Sequence, residues 1–273
     1  MGRIIVEGKT KIIEEDVGGK VRVVSKPVLS KGDGKVRLTL EGKDRWANRT
    51  TCNVFKLLAK QNIPSAFWEQ IDEVSFSAYE ADMVPIEVVV RFIAFGSRLK
   101  RHPEEKEGTF YEWPVVEFFY KDDEEGDPFL IFDLISRKWL MLDAKKPPKE
   151  GFIREMPQIK TKKGRIIDHE TIIEMVDIAE KVSFILRDEW EKLKVLLVDL
   201  KMEFGFIFKH GKIILVLADV LDNDSWRIWL MGDKIQMKDK EVFRLLKEVT
   251  PEDRNKLKEN YQWVAEATEK FLA

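Results

Sequence analysis

The sequence predicts an α+β fold: an antiparallel N-terminal sheet lobe (residues 1–84) plus a larger mixed α/β lobe (residues 85–273). Three observations carry this. Short β-branched runs broken by glycines fill the N-terminal part, as expected of short antiparallel strands. Apolar residues recur at helical spacing in 43–61, 168–194 and 250–271. Long, almost continuously apolar strands lie at 85–95 and from 195 onward.

The N-terminal strands fall at 3–6, 11–15, 21–25 and 36–40. Gly8-Lys9-Thr10-Lys11 resembles a P-loop but fails on spacing, because the leading glycine would have to stand at Arg3. What remains is a strand–turn–strand with Lys9 and Lys11 on one side. They either clamp a triphosphate or guard a solvated strand edge. Gly32-Asp33-Gly34 is a second flexible turn. Ala47, Thr51, Val54, Phe55 and Leu58 give the helix at 43–61 its packing stripe, and Asn62-Ile63-Pro64 ends it.

Strands follow at 74–82 and 85–95. Glu87 and Arg91 interrupt the second and share a face. They must be paired or face a cleft, because an unpaired buried charge is strongly destabilising. Ser97 then opens a basic turn with Arg98, Lys100 and Arg101, and it either helps hold an anion or caps a surface helix. The strand at 113–120 ends in a turn crowded with Lys121, Asp122, Asp123 and Asp127, a kind of loop that is usually just solvated. Residues 129–165 mix an apolar run with basic, proline-bearing segments and read as a surface excursion containing a short hairpin. Asp168 caps a helix to about residue 194, with Ile172, Met175, Val176, Ala179, Val182, Leu186 and Leu193 facing inward. Thr250-Pro251-Glu252-Asp253 starts the last helix, whose inner face is Leu257, Tyr261, Val264 and Phe271.

The chemistry concentrates in 195–229. Two strands there are joined by a tight turn at Lys209-His210-Gly211-Lys212. Strand alternation puts Val198, Leu200, Met202 and Phe204 on an apolar face and Asp199, Lys201 and Glu203 on the other. A three-residue loop would pair Asp219 with Lys201 or with Glu203, and either register keeps Asp219 on the polar face. Residues two apart on a strand are roughly 7 Å apart, so Asp199 and Glu203 cannot share one metal ion. Glu203 and Asp219 could, because cross-strand neighbours sit about 5 Å apart. Two hard oxygen donors suit Mg²⁺, with Lys201 between them reaching a phosphate. A solvated face laced with ion pairs is the bland alternative.

Composition narrows the class. The chain has 273 residues, enough for one large domain or two small ones, and a formal net charge of -2. With a pI of about 6.1, no global basic field points to nucleic acid. No apolar run reaches membrane-span length, and the N-terminus lacks the apolar segment of a signal peptide. The single Cys52 fits a reducing, cytoplasmic location. Three scattered histidines leave the chemistry to carboxylates, lysines and arginines.

Seven segments, in order along the chain, resemble the SAICAR synthetase (phosphoribosylaminoimidazole-succinocarboxamide synthase) family of de novo purine synthesis. They are EGKTK, LEGK, VPIEVVVR, GSRLKR, EGTFYEWPVVEFFYKDD with GDP, LVDLKMEFG and LADVLDNDSWRIW. DNDSWRIW, followed by KDK and LKEVTPE, looks most like the synthetase half of the animal bifunctional enzyme, whose other half is an AIR carboxylase. The resemblance implies an ATP-grasp-like, kinase-like fold and a ligase reaction. ATP, the imidazole carboxylate nucleotide CAIR and L-aspartate would give SAICAR, ADP and phosphate, through an acyl phosphate. It implies that Lys9, Thr10 and Lys11 hold ATP, that Glu203, Asp219 and Asp127 hold Mg²⁺, and that Arg91, Ser97, Arg227 and Asp224 grip CAIR. Lys201, Asp199 and Lys121 would line the reacting groups. A homo-oligomer and an AIR carboxylase partner come with the same resemblance. The sequence departs from the family pattern at Leu29-Ser30-Lys31, at Val220 after Asp219, and in the length of 129–165. DLKMEFG also looks like the Asp-x-Lys segment of inositol polyphosphate kinases, and a nucleotide-binding module without turnover is a third reading.

Overall fold

In the computed structural model, which describes residues 2–273 apart from Asp33 and Asp123, the N-terminal strands form where β-branched residues cluster. β1 (Ile4–Glu7), β2 (Lys11–Asp16) and β3 (Lys20–Ser25) form an antiparallel meander. β4 (Val28–Lys31) and β5 (Val36–Thr39) make a separate hairpin, and the first of these was not expected from sequence. The Gly32-Asp33-Gly34 turn joins them, with Asp33 outside the described residues. Helix α1 (Lys43–Lys60) follows and buries the expected stripe.

β6 (Phe67–Gln70), also unexpected, and β7 (Ser75–Tyr79) complete a five-stranded sheet in the order β1-β2-β3-β7-β6. β8 (Asp82–Ile93), the four-residue helix α2 (Arg98–Arg101) and β9 (Phe110–Tyr120) come next. The acidic turn after β9 holds Asp127 at φ 51, and Asp123 lies outside the described residues.

The short hairpin expected within 129–165 forms as β10 (Phe129–Asp133) and β11 (Lys138–Leu142), but it is no surface excursion: with β12 (Phe152–Met156) it extends the main sheet beyond β9. Leu130, Trp139 and Met141 are buried in the principal core. Trp139 packs its ring at 5.2 Å from Phe132 and 6.0 Å from Phe118.

Helix α3 (His169–Lys192) is capped by Asp168, whose side chain accepts from Thr171 N at 2.9 Å. Val176 is only half-buried, and Ile178 takes its place on the inner face. Then come β13 (Val195–Lys209), β14 (Lys212–Ala218), β15 (Trp226–Leu230), helix α4 (Glu241–Leu245) and helix α5 (Pro251–Glu269). Thr250 and Asp253 form a reciprocal capping box at the start of α5. The large sheet runs β12-β11-β10-β9-β8-β13-β14, with β15 also on β13. The fifteen-residue β13 is its pivotal strand, bonded to β8, β14 and β15.

Three apolar contacts position the site. α3 covers the core face of β13, where Val198, Leu200, Met202 and Phe204 are all fully buried. Val21, Val23, Phe76 and Ala78 of the N-terminal sheet pack on Ile207, Val216 and Ala218, which brings β2 over the end of β14. Leu29, Leu38 and Leu40 of the β4–β5 region rest on Phe243, Leu257 and Tyr261. No helix among the described residues is long and apolar enough to cross a membrane.

The sheet assignment of 129–156 is testable. Truncating the 1% exposed Trp139 to alanine should destabilise the protein by about 3–5 kcal/mol in urea denaturation. A loss within about 0.5 kcal/mol, as for a surface loop, would contradict the placement.

Candidate active site

The site forms where one edge of β13 changes partner. β15 pairs with its first half (Asp199↔Arg227, Leu200↔Trp226), and β14 pairs with its second half from Glu203↔Ala218 onward. Between them the chain 219–225 leaves the sheet and returns, and Lys201 N donates to Ser225 O at 2.7 Å. This fork opens the sheet edge beside Lys201 and Glu203.

The hairpin register differs from both expected alternatives. Lys209 pairs with Lys212, so the loop has two residues, His210 (φ 51) and Gly211 (φ 76). Continuing that register would set Asp219 opposite Met202, facing the core. Asp219 instead takes φ 62, which ends the strand and leaves its carboxylate in the cleft, paired with Lys11. Aspartate tolerates this left-handed conformation better than most residues.

A cleft of about 900 Å³ lies between the fork, the β1–β2 turn and the β4–β5 hairpin. Lys9, Thr10, Lys11, Lys121, Asp127, Lys201, Glu203, Asp219 and Asp224 all line it. Among the described residues, nine cationic side chains face six carboxylates there, although the whole chain has a net charge of -2. The cleft therefore favours a polyanion.

Its floor is a bracketed lysine. Lys201 Nζ donates to Glu87 Oε1 at 2.6 Å and to Glu203 Oε1 at 3.3 Å, and Lys121 pairs with the other Glu203 oxygen. Burial alone would lower the Lys201 pKa, but Glu203 and Glu87 outweigh it and hold the ammonium charged. Burial likewise works against ionised Glu203, and Lys201, Lys121 and Lys11 overcome it, so its pKa falls below the usual range. Glu87 moves the other way, raised by burial and by the Glu203 charge.

At the far wall, Asp224 accepts from Tyr261 Oη at 2.6 Å and from Lys240 Nζ at 3.3 Å, with Lys43 Nζ at 3.5 Å. Lys43 and Lys240 keep Asp224 ionised against burial. Burial and the Asp224 charge push Asp222 up to about 6.

Arg91, Ser97, Asp199 and Arg227 do not line this cleft. They form a buried network on the same face of the sheet, one strand repeat from Lys201. Asp199 lies in register between Arg91 on β8 and Arg227 on β15. Its Oδ2 accepts from Arg91 Nη1 at 2.7 Å and from Arg227 Nη1 at 2.6 Å. Arg91 Nη2 donates to Ser97 Oγ at 3.3 Å, so this serine joins the arginines and makes no side-chain cap for α2. Gly96 at φ 65 lets Arg227 approach, because a Cβ there would lie 2.7 Å from its Nη1.

Sequence reasoning missed several groups. Lys26, Lys31, Arg37, Lys240 and Arg244 also line the cleft; Lys31 and Arg37 sit on the β4–β5 hairpin and Arg244 on α4, but nothing in the local pattern tells which cations turn toward the cavity. Glu117 carried a readable signal, a carboxylate set between Val115-Val116 and Phe118-Phe119 in the strand Phe110–Tyr120, like that of Glu87. Asp239 is 1% exposed, and its carboxylate accepts from Ile228 N at 2.8 Å and from Glu241 N at 2.7 Å. It ties β15 to the segment that carries Lys240.

Known proteins similar to this chain fall in one family. A family model described as SAICAR synthetase matches residues 4–260. The Homo sapiens bifunctional phosphoribosylaminoimidazole carboxylase/phosphoribosylaminoimidazole succinocarboxamide synthetase is 38% identical over 275 residues. That match takes in 100% of this chain and 59% of the human protein, so the chain spans little more than half of that relative. The phosphoribosylaminoimidazole-succinocarboxamide synthase of Herpetosiphon aurantiacus is 35% identical over 272 residues, covering 99% of this chain and 98% of that one. Among solved structures, a SAICAR synthetase (Type-2) in complex with ADP matches with TM-score 0.73 and 28% identity, over 94% of this chain and 97% of that one. The Type-1 structure of SAICAR synthetase from Pyrococcus horikoshii OT3 gives TM-score 0.71 and 29% identity, over 93% and 97%.

Burial raises the Asp239 pKa to about 7, so the folded state keeps a proton that the unfolded chain releases near 3.8. The stability linked to that proton is complete at acid pH and is lost as pH rises toward 7. Relative to wild type, Asp239→Asn should gain roughly 2 kcal/mol between pH 5 and 7.5 in urea denaturation. A pH-independent difference would contradict the buried, protonated carboxyl.

Proposed function

The chain belongs to the SAICAR synthetase family, and from that premise we propose that it joins L-aspartate to the carboxylate of CAIR, consuming ATP and releasing SAICAR, ADP and phosphate. The observation that carries the reading is the cationic cleft built around Lys201, Glu203 and Asp219, with the Arg91–Asp199–Arg227 network on the same sheet face. We keep the division between the lobes at residues 84 and 85, which falls within β8, and place ATP in the crevice between them.

Lys9, Thr10 and Lys11 come from the β1–β2 turn, and Lys9 and Lys11 bring positive charge to the ATP phosphates. Glu203 and Asp219 fit a divalent cation on the chemistry of their donors: hard carboxylate oxygens in one cleft, with Glu203 held ionised. They would hold Mg²⁺, with Asp127 lining the same cleft but the three carboxylates not all within 4.8 Å of one another, and the ion would neutralise phosphate charge when bound. Lys11 and Lys121, now paired with these two carboxylates, would then be released toward phosphate oxygens.

Arg91, Ser97 and Arg227 grip the CAIR phosphate, for which arginine offers a planar fork. Asp224, ionised at the opposite wall, accepts from the polar groups of CAIR. This sets the imidazole carboxylate near Lys201. The carboxylate oxygen attacks the terminal phosphorus and ADP leaves, giving an acyl phosphate. The aspartate amine attacks the acyl carbon, phosphate departs, and the nitrogen loses a proton. Lys201, Lys121 and Asp199 serve by position and charge, since the transferring phosphoryl group needs charge stabilisation more than acid–base help. Histidine has no place in the scheme.

In the larger relatives the same chemistry is joined to a carboxylase, so an AIR carboxylase is the partner we assign, with several copies of the chain assembling together. The reaction is placed in the cytoplasm.

ADP release should require CAIR and aspartate together; release without aspartate would indicate a kinase, and ATP binding without release would indicate a module lacking turnover. Lys201→Ala and Glu203→Ala should each abolish turnover and, by leaving a buried charge without its partner, lower the melting temperature as well; normal turnover in either would refute the site. Arg227→Ala should weaken CAIR binding by about 1.5–3 kcal/mol, the worth of a charge-assisted contact. An unchanged KM for CAIR in that variant would remove Arg227 from the grip.

A further inference from the structure

Glu117 lies outside the cleft and the proposed chemistry gives it no role, yet it is the carboxylate on which the anion-gripping arm converges. It is 2% exposed, on β9 beside β8. Its Oε2 accepts from Arg91 Nε at 2.6 Å and from Arg101 Nη2 at 2.7 Å, and its Oε1 accepts from Arg98 Nη1 at 3.1 Å. These arginines come from two elements. Arg91 belongs to β8, whereas Arg98 and Arg101 belong to α2, the short helix directly after Ser97.

Each arginine is also held elsewhere, so Glu117 sets a geometry beyond balancing charge. Arg101 stacks its guanidinium 4.6 Å from the Phe129 ring centre and donates Nη1 to Ala144 O at 2.8 Å. Arg98 binds Glu105 through Nη2 at 2.5 Å. Among the described residues, Arg91 is held by polar side chains: with Nε on Glu117, its Nη1 meets Asp199 and its Nη2 meets Ser97. Arg91 and Arg101 hold the Glu117 pKa down at about 2 despite burial, so the anchor stays charged across the working pH range.

We propose that Glu117 is a positioning residue for substrate binding: through Arg91 on one side and α2 on the other, it fixes the distance between the two arms that take the phosphate group of the nucleotide substrate. This rests on the reading of Arg91 and Ser97 as that grip. Freeing Arg91 Nε lets its guanidinium rotate off Ser97, and freeing Arg98 and Arg101 lets the Ser97 turn shift away. The phosphate then meets a grip of the wrong width, while the ATP side, built on Lys9, Lys11, Glu203 and Asp219, is untouched.

The test is steady-state kinetics on Glu117→Gln and on the double variant Glu117→Gln/Arg101→Met, with thermal melting of each. The double variant removes one charge of each sign from the buried cluster and separates charge balance from positioning. We expect the KM for CAIR to rise roughly tenfold or more in both variants, the effect of losing charge-assisted contacts. The KM for ATP stays within about twofold, because the hydrogen bonds of Glu117 go to Arg91, Arg98 and Arg101 and not to the ATP side, and the double variant melts close to wild type. A wild-type KM for CAIR in the double variant, or equal rises in KM for CAIR and ATP, would overturn the inference and leave Glu117 a structural counter-charge. So would failure of both variants to fold. A wild-type protein that releases no ADP with all three substrates present would instead sink the reaction reading itself.

Discussion

The ion cluster of Lys201 with Glu87 and Glu203 is the constraint on which the rest of the structure depends. β13 is bonded on both edges, so charges on its wet face are partly removed from water and must find partners close by. Strand register sets Glu203 directly beside Glu87, an arrangement that is repulsive by itself. Lys201, one strand repeat away, resolves it by reaching both carboxylates. The same solution recurs at the next repeat, where Asp199 stands between Arg91 and Arg227. The wet face of one strand thus reads as alternating charges, each compensated across the sheet.

That compensation explains how a chain with a net charge of -2 presents a cationic cleft. The sheet face and the 219–225 excursion supply carboxylates at fixed places, and lysines from other elements converge on them. Lys11 comes from β2, Lys121 from the end of β9, Lys43 from α1 and Lys240 from the segment before α4. Apolar contacts bring those elements there: β3 and β7 on the end of the β13–β14 hairpin, and the β4–β5 hairpin on Phe243 and Tyr261. Lys31 adds to the second contact by donating to the carbonyls of Phe243 and Leu246. Core packing therefore fixes the charges, and their excess of cations in the cleft favours a polyanionic ligand.

How much of this was legible follows from the physics of each part. Strand alternation exposed the wet face of β13, and capping residues gave the starts of α3 and α5, because these signals are local. Asp219 reached the cleft as expected but by another route, since a backbone turn at φ 62 leaves no trace in hydrophobic pattern. A hairpin was legible at β10–β11, but its place in the main sheet with β12 was not, because each strand has only five residues and the segment carries prolines and lysines. Their burial comes from pairing with β9 and from Trp139 meeting Phe118 and Phe132 across the sheet, contacts that no local window contains. Lys240, Arg244 and Arg37 were invisible for a related reason. Isolated cations in polar segments look alike until tertiary packing turns some of them toward one cavity.

The account stands or falls on Glu203 and Asp219 acting as the seat of a metal-bound nucleotide, with lysines released as the metal enters. Calorimetric titration of ATP with and without Mg²⁺, in wild type and in Asp219→Asn, measures this without any turnover. Mg²⁺ should tighten ATP binding by about tenfold or more in wild type, and that gain should vanish in the variant. Equal ATP affinity in wild type with and without Mg²⁺ would contradict the account.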